Sequence, residues 1–255
     1  MNELKNHIMR MFSQNMRYDE RKLDEFRKIV VETGATKNAE GSARVKIGDT
    51  EVIAGVKLSV DKPYPDVPDE GLLMVNTELL PLSSPEFEAG PPGEKSIEIA
   101  RVVDRGIRES KMLDLKKLLL EKGEKAWMTS IDIVTINDAG NILDAAALAT
   151  VAALKSARMP EYDGTIIDYK KLTSKKLPIS KTPISVTVIK IGDFFLVDPT
   201  EEEESILDAR LTVAVDGEKI CAMQKGGDAL LSLEDIKTMI ELATAKSKEL
   251  LKKVE

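Results

Sequence analysis

The sequence predicts an α+β fold made of a duplicated βαβα-type unit. Three observations predict it. Val45-Lys46-Ile47-Gly48-Asp49 returns almost unchanged as Ile189-Lys190-Ile191-Gly192-Asp193. Strand pairs and helices follow one another in the same order around both copies, as an internal repeat requires. A strand pattern also runs directly into the alanine-rich "ILDAAALATVAALKSA", which has to pack closely against a sheet.

The elements follow in chain order. "NELKNHIMRMFSQN" reads as an amphipathic N-terminal helix. "GSARVKIGDTEVIAGVKLSV" reads as two strands turning on Gly48-Asp49, and "DKPYPDVPDEG" as a loop, because three prolines and acid clusters interrupt it. "LLMVNTELL" is a buried strand or the start of one. Pro91-Pro92-Gly93 sets the entry of a helix for which Ser96 is the expected N-cap, running to about Met112. "DLKKLLLEKG" reads as a second short helix with Gly123 at its C′ position, and "AWMTSIDIVTIND" as a strand turned by Asp138-Ala139-Gly140-Asn141. In the second half, "ISVTVIKIGDFFLVDP" and "ARLTVAVDGEKICAMQKGG" are strand pairs, the latter turning on Asp216-Gly217. A closing helix begins at Ser232, with Glu234 and Asp235 in its first turn.

Composition removes several function classes. The chain has 255 residues and a formal net charge of −7, which argues against general coating of nucleic acid while leaving room for a local basic patch. One cysteine, Cys221, excludes an internal disulfide framework and fits a reducing cytoplasm; it lies in a strand, as an inert buried thiol would. One histidine, His7, and one cysteine cannot build a His/Cys metal site, and a Ser-His or Cys-His catalytic pair is not expected. No apolar run is long enough to cross a bilayer, and no signal peptide is recognisable.

The densest chemistry lies in "IARVVDRGIRES", residues 99–110. At about 100° per residue, Arg101, Arg105 and Arg108 fall within about 60° of one another, and Ile99, Val103 and Ile107 fall opposite. Two readings stand: a solvated face, with Asp104–Arg108 and Arg105–Glu109 at i,i+4 spacing, or an anion site. Arginine rather than lysine at all three places suits phosphate, which the guanidinium fork binds in bidentate fashion. The glutamates 201–204 after Pro199-Thr200 read as a solvated helix start. Lys57 is a weaker candidate, as it lies in a strand.

"YDERKLDEFR", "GSARVKIGDTEVIAGVK", "NTELLPLSSPEFEAGPPGEKSIEIARVVDRGIRES" and "DAGNILDAAALATVAALKSARMP" together resemble the RNase PH superfamily. More narrowly, they resemble the non-catalytic RNase PH-like subunits of archaeal exosome rings. The resemblance runs from Tyr18 to about Ala245. It implies an RNase PH-like fold (ribosomal protein S5 domain 2-like): one domain over 1–255, with halves at about 25–160 and 180–250. It implies a cytoplasmic heterohexameric ring in which this chain alternates with a catalytic sister, together with RNA-binding cap subunits and no membrane. Single-stranded RNA is shortened there from its 3′ end by inorganic phosphate, without a further cofactor and without a metal held by this chain.

The resemblance also says where chemistry would sit. Catalytic members carry a small hydroxyl residue and then an arginine in the turn after the "DIVTIND" strand; here Asn141 and Ile142 stand there. They also carry two acids after the "LVD" strand. Glu204 can stand for the first, but Arg210 takes the place of the second, and an arginine cannot act as a general acid at neutral pH. Asp208 is two residues out of register and is expected to face elsewhere. No catalytic residue is therefore expected in this chain, whereas Arg101, Arg105 and, less directly, Arg108 are expected to hold RNA phosphates for a neighbour's active site. Two rivals remain: an active phosphorolytic 3′-to-5′ exoribonuclease with a divergent site, and a scaffold whose arginines only meet a partner's acids.

Overall fold

In the computed structural model, which describes residues 2–254, the alanine-rich segment is the centre of the fold. It forms α3 (Ile142–Ser156), and every residue from 145 to 154 is buried. A helix buried on all sides needs partners on all sides. The first sheet covers one face through β2 (Gly41–Ile47) and β3 (Thr50–Asp61), and the second covers another through β9 (Ile184–Ile191). Small side chains permit this approach. At Gly41 a Cβ atom would lie 2.4 Å from the Ala153 carbonyl oxygen and 2.6 Å from the Ala157 Cα.

The first sheet has the order β1-β2-β3-β6-β4, with β1 at Ile29–Thr33, β4 at Leu72–Glu78 and β6 at Lys125–Asn137. All its pairings are antiparallel except that of β4 with β6, and a short β5 (Leu119–Glu121) also pairs with β6. The second sheet has the order β10-β9-β11-β12, with β10 at Phe194–Val197, β11 at Ala209–Asp216 and β12 at Lys219–Gly226. The repeated pentapeptide forms the β2–β3 turn in one half and the β9–β10 turn in the other, both with glycine at positive φ. The last hairpin turns on Gly217-Glu218, one residue later than expected, with Asp216 facing Lys219.

Helices close the layers. α1 (Asn2–Ser13) is amphipathic as expected, and its Ile8 and Phe12 are buried in a cluster with Ile189, Ile191, Leu196 and Ile206. α5 (Leu233–Leu251) covers β9 and β11 and begins in the expected capping box. The Ser232 hydroxyl accepts from the Asp235 N–H at 3.1 Å, and the Asp235 carboxylate accepts from the Ser232 N–H at 2.9 Å. α2 (Glu94–Ser110) lies across the junction of the halves, against β4 on one side and β11 and β12 on the other, with Ile99, Val103 and Ile107 in the core.

Three further sequence expectations need correction. The N-cap of α2 is Gly93, not Ser96. Ser96 lies buried within the first turn and its hydroxyl donates to the Thr77 carbonyl, tying α2 to β4. "DLKKLLLEKG" is not a helix: residues Leu115–Leu118 make a 3₁₀ turn and the chain then extends as β5, because pairing with β6 outweighs the helical pattern. Gly123 consequently serves the β5–β6 turn. Cys221 is half-buried in β12 rather than buried, and burial pushes its thiol pKa up. Two further elements carry no strong sequence pattern: β1, and the polar hairpin of β7 (Arg158–Tyr162) and β8 (Ile167–Lys176). Among the described residues no helix is long and apolar enough to cross a membrane.

Candidate functional site

The outer face of α2 forms one wall of a groove of about 890 Å³, and the far walls come from the turn after β6, from α4 (Glu201–Glu204) and from β11 and β12. The helical period decides what faces it. Glu94, Glu98, Arg101 and Arg105 share the stripe opposite the apolar one, and all four line the groove. Arg101 is exposed and has no hydrogen-bond or ion-pair partner among the described residues. Among the described residues Arg105 meets only the Gln224 side-chain oxygen, at 3.4 Å. Arg108 is set apart: its guanidinium donates to Asp104 at 2.7 and 3.0 Å and to the Leu73 carbonyl at 3.2 Å, and it does not line the groove. The structure thus brings two of the three arginines together and leaves the third in the i,i+4 pair. Lys57 is also engaged, with Glu40 at 2.6 Å, the Asn38 carbonyl at 2.9 Å and the Tyr169 ring at 4.6 Å.

The four positions that the resemblance singles out, three departures and Glu204, lie around the same groove, but they do different things. Ile142 and Arg210 line it, placing an alkyl group and a cation there. Glu204 also lines it and accepts from the Asn141 backbone N–H at 2.9 Å, so that donor is not free for an external anion. Burial raises the Glu204 carboxyl above the usual range against the pull of that N–H. Asn141 itself turns inward. Its backbone is left-handed, with φ 62°, and its buried amide donates to Asp144 at 3.1 Å and to Asp198 at 3.0 Å. Arg210 pairs with Glu98 across the groove, and its Nε–H is buried without a partner among the described residues. Asp208 faces elsewhere, as expected: it pairs with Lys5 and accepts from the Gly192 N–H at 2.7 Å.

Beneath the groove lies a polar network with no counterpart among the sequence expectations. Asp198 accepts from the Arg27 N–H at 2.8 Å, from the Arg27 guanidinium at 2.6 and 2.9 Å and from Arg21 at 2.9 Å. Burial alone would raise its carboxyl, but Arg27 and Arg21 hold it below the usual range. Arg27 continues to the Ala139 carbonyl at 2.7 Å and the Gly140 carbonyl at 3.1 Å. Arg17 is fully buried and binds Glu203 and the Val197 and Asp198 carbonyls. The glutamate run is therefore only partly a solvated helix start: Glu203 is buried as the N3 residue of a capping box on Thr200, with Arg17 as counter-ion. Three arginines in the acid-rich segment 17–27 were the available signal. They staple the chain's first loop to the turn 139–141 and the end of β10.

Asp144 introduces a pH dependence. Burial pushes its carboxyl up to about 7 from an ordinary 3.8. The folded chain then holds a proton that the unfolded chain releases, so stability falls as pH rises from about 4 to about 7 and is flat above that. Asp144→Asn keeps an acceptor for the Asn141 amide and is expected to remove that slope, which at its steepest is about 1.4 kcal/mol per pH unit. Urea unfolding at a series of pH values checks it. Equal slopes in both proteins between pH 5 and 7 would show that the carboxyl does not titrate there.

Two sheets locked through one alanine-rich helix, with a groove at their junction, define a protein of RNase PH-like fold. Its residues 25–160 match the "3' exoribonuclease family, domain 1" and residues 181–246 match domain 2 of the same family. The chain belongs to that 3′ exoribonuclease (RNase PH) family. It is 46% identical over 252 residues to the exosome complex component Rrp42 of Methanocella arvoryzae, covering 98% of this chain and 95% of that protein. Its identity to the Rrp42 component of Methanothermobacter thermautotrophicus is 44% over 249 residues, covering 96% and 91%. Among solved structures it superposes with a TM-score of 0.92 and 43% identity on a chain of the Archaeoglobus fulgidus exosome with RNA bound to the active site, covering 100% of this chain and 98% of that one.

Proposed function

We propose that this chain is the non-catalytic subunit of an archaeal exosome ring, alternating with a catalytic RNase PH-like sister beneath RNA-binding cap subunits in the cytoplasm. Arg101 and Arg105 hold the phosphodiester backbone of RNA on its way to the sister's active site. Arg108 contributes only when it leaves Asp104. The assembled ring consumes inorganic phosphate, and this chain supplies no cofactor or metal. The observation that carries the reading is the contrast within one groove: two guanidinium groups on α2 stand free of carboxylates, while the positions for phosphorolysis carry Ile142 and an Arg210 already paired with Glu98. Phosphorolysis needs donors around an attacking phosphate and an acid at the leaving oxygen. The N–H of Asn141 is taken by Glu204, and no acid stands at position 210. The near full-length likeness to Rrp42 components supports the ring assignment.

Incubated alone with single-stranded RNA and inorganic phosphate, the chain is expected to release no nucleoside diphosphate, while the mixture with the sister does so. Release by the chain alone, proportional to its concentration, would establish the divergent-enzyme alternative.

A further inference from the structure

Arg210 is the most unusual group in the groove. Its side chain emerges from β11, lies against Gly226 of β12 and reaches α2, where one Nη is bound by the Glu98 carboxylate. The neighbouring Nε–H is buried and unsatisfied. A guanidinium presents Nε and Nη as a fork, and a carboxylate or phosphate normally takes both prongs. Glu98 takes only one. The close approach to Gly226 fixes the fork's place: a Cβ atom there would lie 2.6 Å from the Arg210 Cζ. Arg101 and Arg105 follow Glu98 on the same helical stripe, three and seven residues later, and line the same groove. The other nearby cation, Lys95, is paired with Asp138 at 3.1 Å.

We infer that Arg210 is the floor of a latent phosphate site that the chain's own Glu98 holds closed. The ligand class is a dianionic phosphate group, either inorganic phosphate or the terminal phosphate of a nucleotide. With Glu98 displaced, the phosphate oxygens would meet the Nε and Nη donors, and Arg101 and Arg105 line the same groove. Glu98 competes as a tethered anion, and Glu94, Glu201 and Glu204 along the groove add to the field that keeps external anions weak. The site is thereby shut to external phosphate. The inference rests on the groove of this one chain and does not depend on its membership of a ring.

Calorimetric titration of the full-length chain with inorganic phosphate, at constant ionic strength, tests it. Native protein is expected to bind in the millimolar range or weaker. Glu98→Gln is expected to bind at least tenfold more tightly, because it replaces the competing charge at the fork with a neutral amide that phosphate displaces more easily. Arg210→Gln added to Glu98→Gln is expected to return the affinity to the native level. Adenosine 5′-diphosphate should gain as phosphate does, and adenosine should gain nothing. A parallel measurement of phosphate-induced rise in melting temperature reports binding by each folded variant. Equal phosphate affinity in native and Glu98→Gln proteins would overturn the inference. So would retention of the gain when Arg210 is removed, or an equal gain for adenosine.

Discussion

Asp198→Ala is expected to destabilise the chain by about 3–5 kcal/mol, the cost of leaving buried charges without their counter-ion. Asp198 is fully buried and anchors Arg21, Arg27 and Asn141 at once. Removing it strands the Arg27 guanidinium in an interior that cannot hydrate it and leaves Arg21 with Asp19 as its remaining carboxylate. It also frees the Arg27 side chain that holds the Ala139 and Gly140 carbonyls, so the turn beside the groove loses its support. Urea unfolding at neutral pH measures the loss. The pH dependence gives a second reading. A carboxyl held below its ordinary pKa contributes stability above the unfolded value, and that contribution is lost as pH falls through the folded one. Below about pH 4 the native chain should therefore lose stability on further acidification, and Asp198→Ala should show less of that loss. Asp144 acts in the opposite sense nearer neutrality, so the two carboxyls are separable by the pH at which each slope occurs. A destabilisation below about 1 kcal/mol would mean that the network is hydrated and carries little of the fold.

Arg101→Ala combined with Arg105→Ala is expected to weaken RNA binding by the assembled ring on the order of 100-fold. That is two charge-assisted hydrogen-bonding interactions at about 1.5 kcal/mol each. Both side chains project from the solvent side of α2, and the opposite face docks the helix through Ile99, Val103 and Ile107, so the helix stays in place. Binding to phosphate carries no base information, so the weakening should be the same for different RNA sequences. For a single strand, the slope of log affinity against log salt should flatten by about 0.7 for each phosphate that the protein no longer neutralises. Lysine at both positions should restore the charge but not the fork, and therefore only part of the affinity. If the arginines meet a partner's acids instead, the salt slope will be unchanged and the ring's melting temperature will fall with the affinity. Titrations at several salt concentrations, set beside thermal melts of the ring, distinguish the two.

Much of the site was legible in the sequence because helical period is a local property. The spacing of residues 99–108 places arginines on one face and aliphatics on the other whatever the helix packs against, and that division holds in the structure. The same reasoning falls short at Arg108: its i,i+4 spacing offered the pair with Asp104 that forms, but only the packing of α2 on β4 brings the Leu73 carbonyl within reach of the guanidinium. It also fails at 115–121, where a helical pattern became a 3₁₀ turn and a strand because β6 offered unpaired backbone groups. Likewise, the motif resemblance identified Asn141 as a departure from a catalytic turn. Its inward amide bond to Asp198 depends on a residue 57 positions away.

By itself, the sequence determined the succession of strands and helices, the two pentapeptide turns, the demand that the alanine-rich helix be enclosed, and the cationic stripe of α2. Each of these rests on periodicity, turn chemistry or side-chain size, which act over a few residues. Tertiary structure alone decided which charges are free. Arg17, Arg21 and Arg27 look no different in the chain from Arg101 and Arg105, yet the first three are neutralised in the interior by Glu203 and Asp198, while the other two face an open groove. An arginine's role depends on whether a carboxylate lies within reach and whether water does. Both are fixed by the packing of segments more than a hundred residues apart.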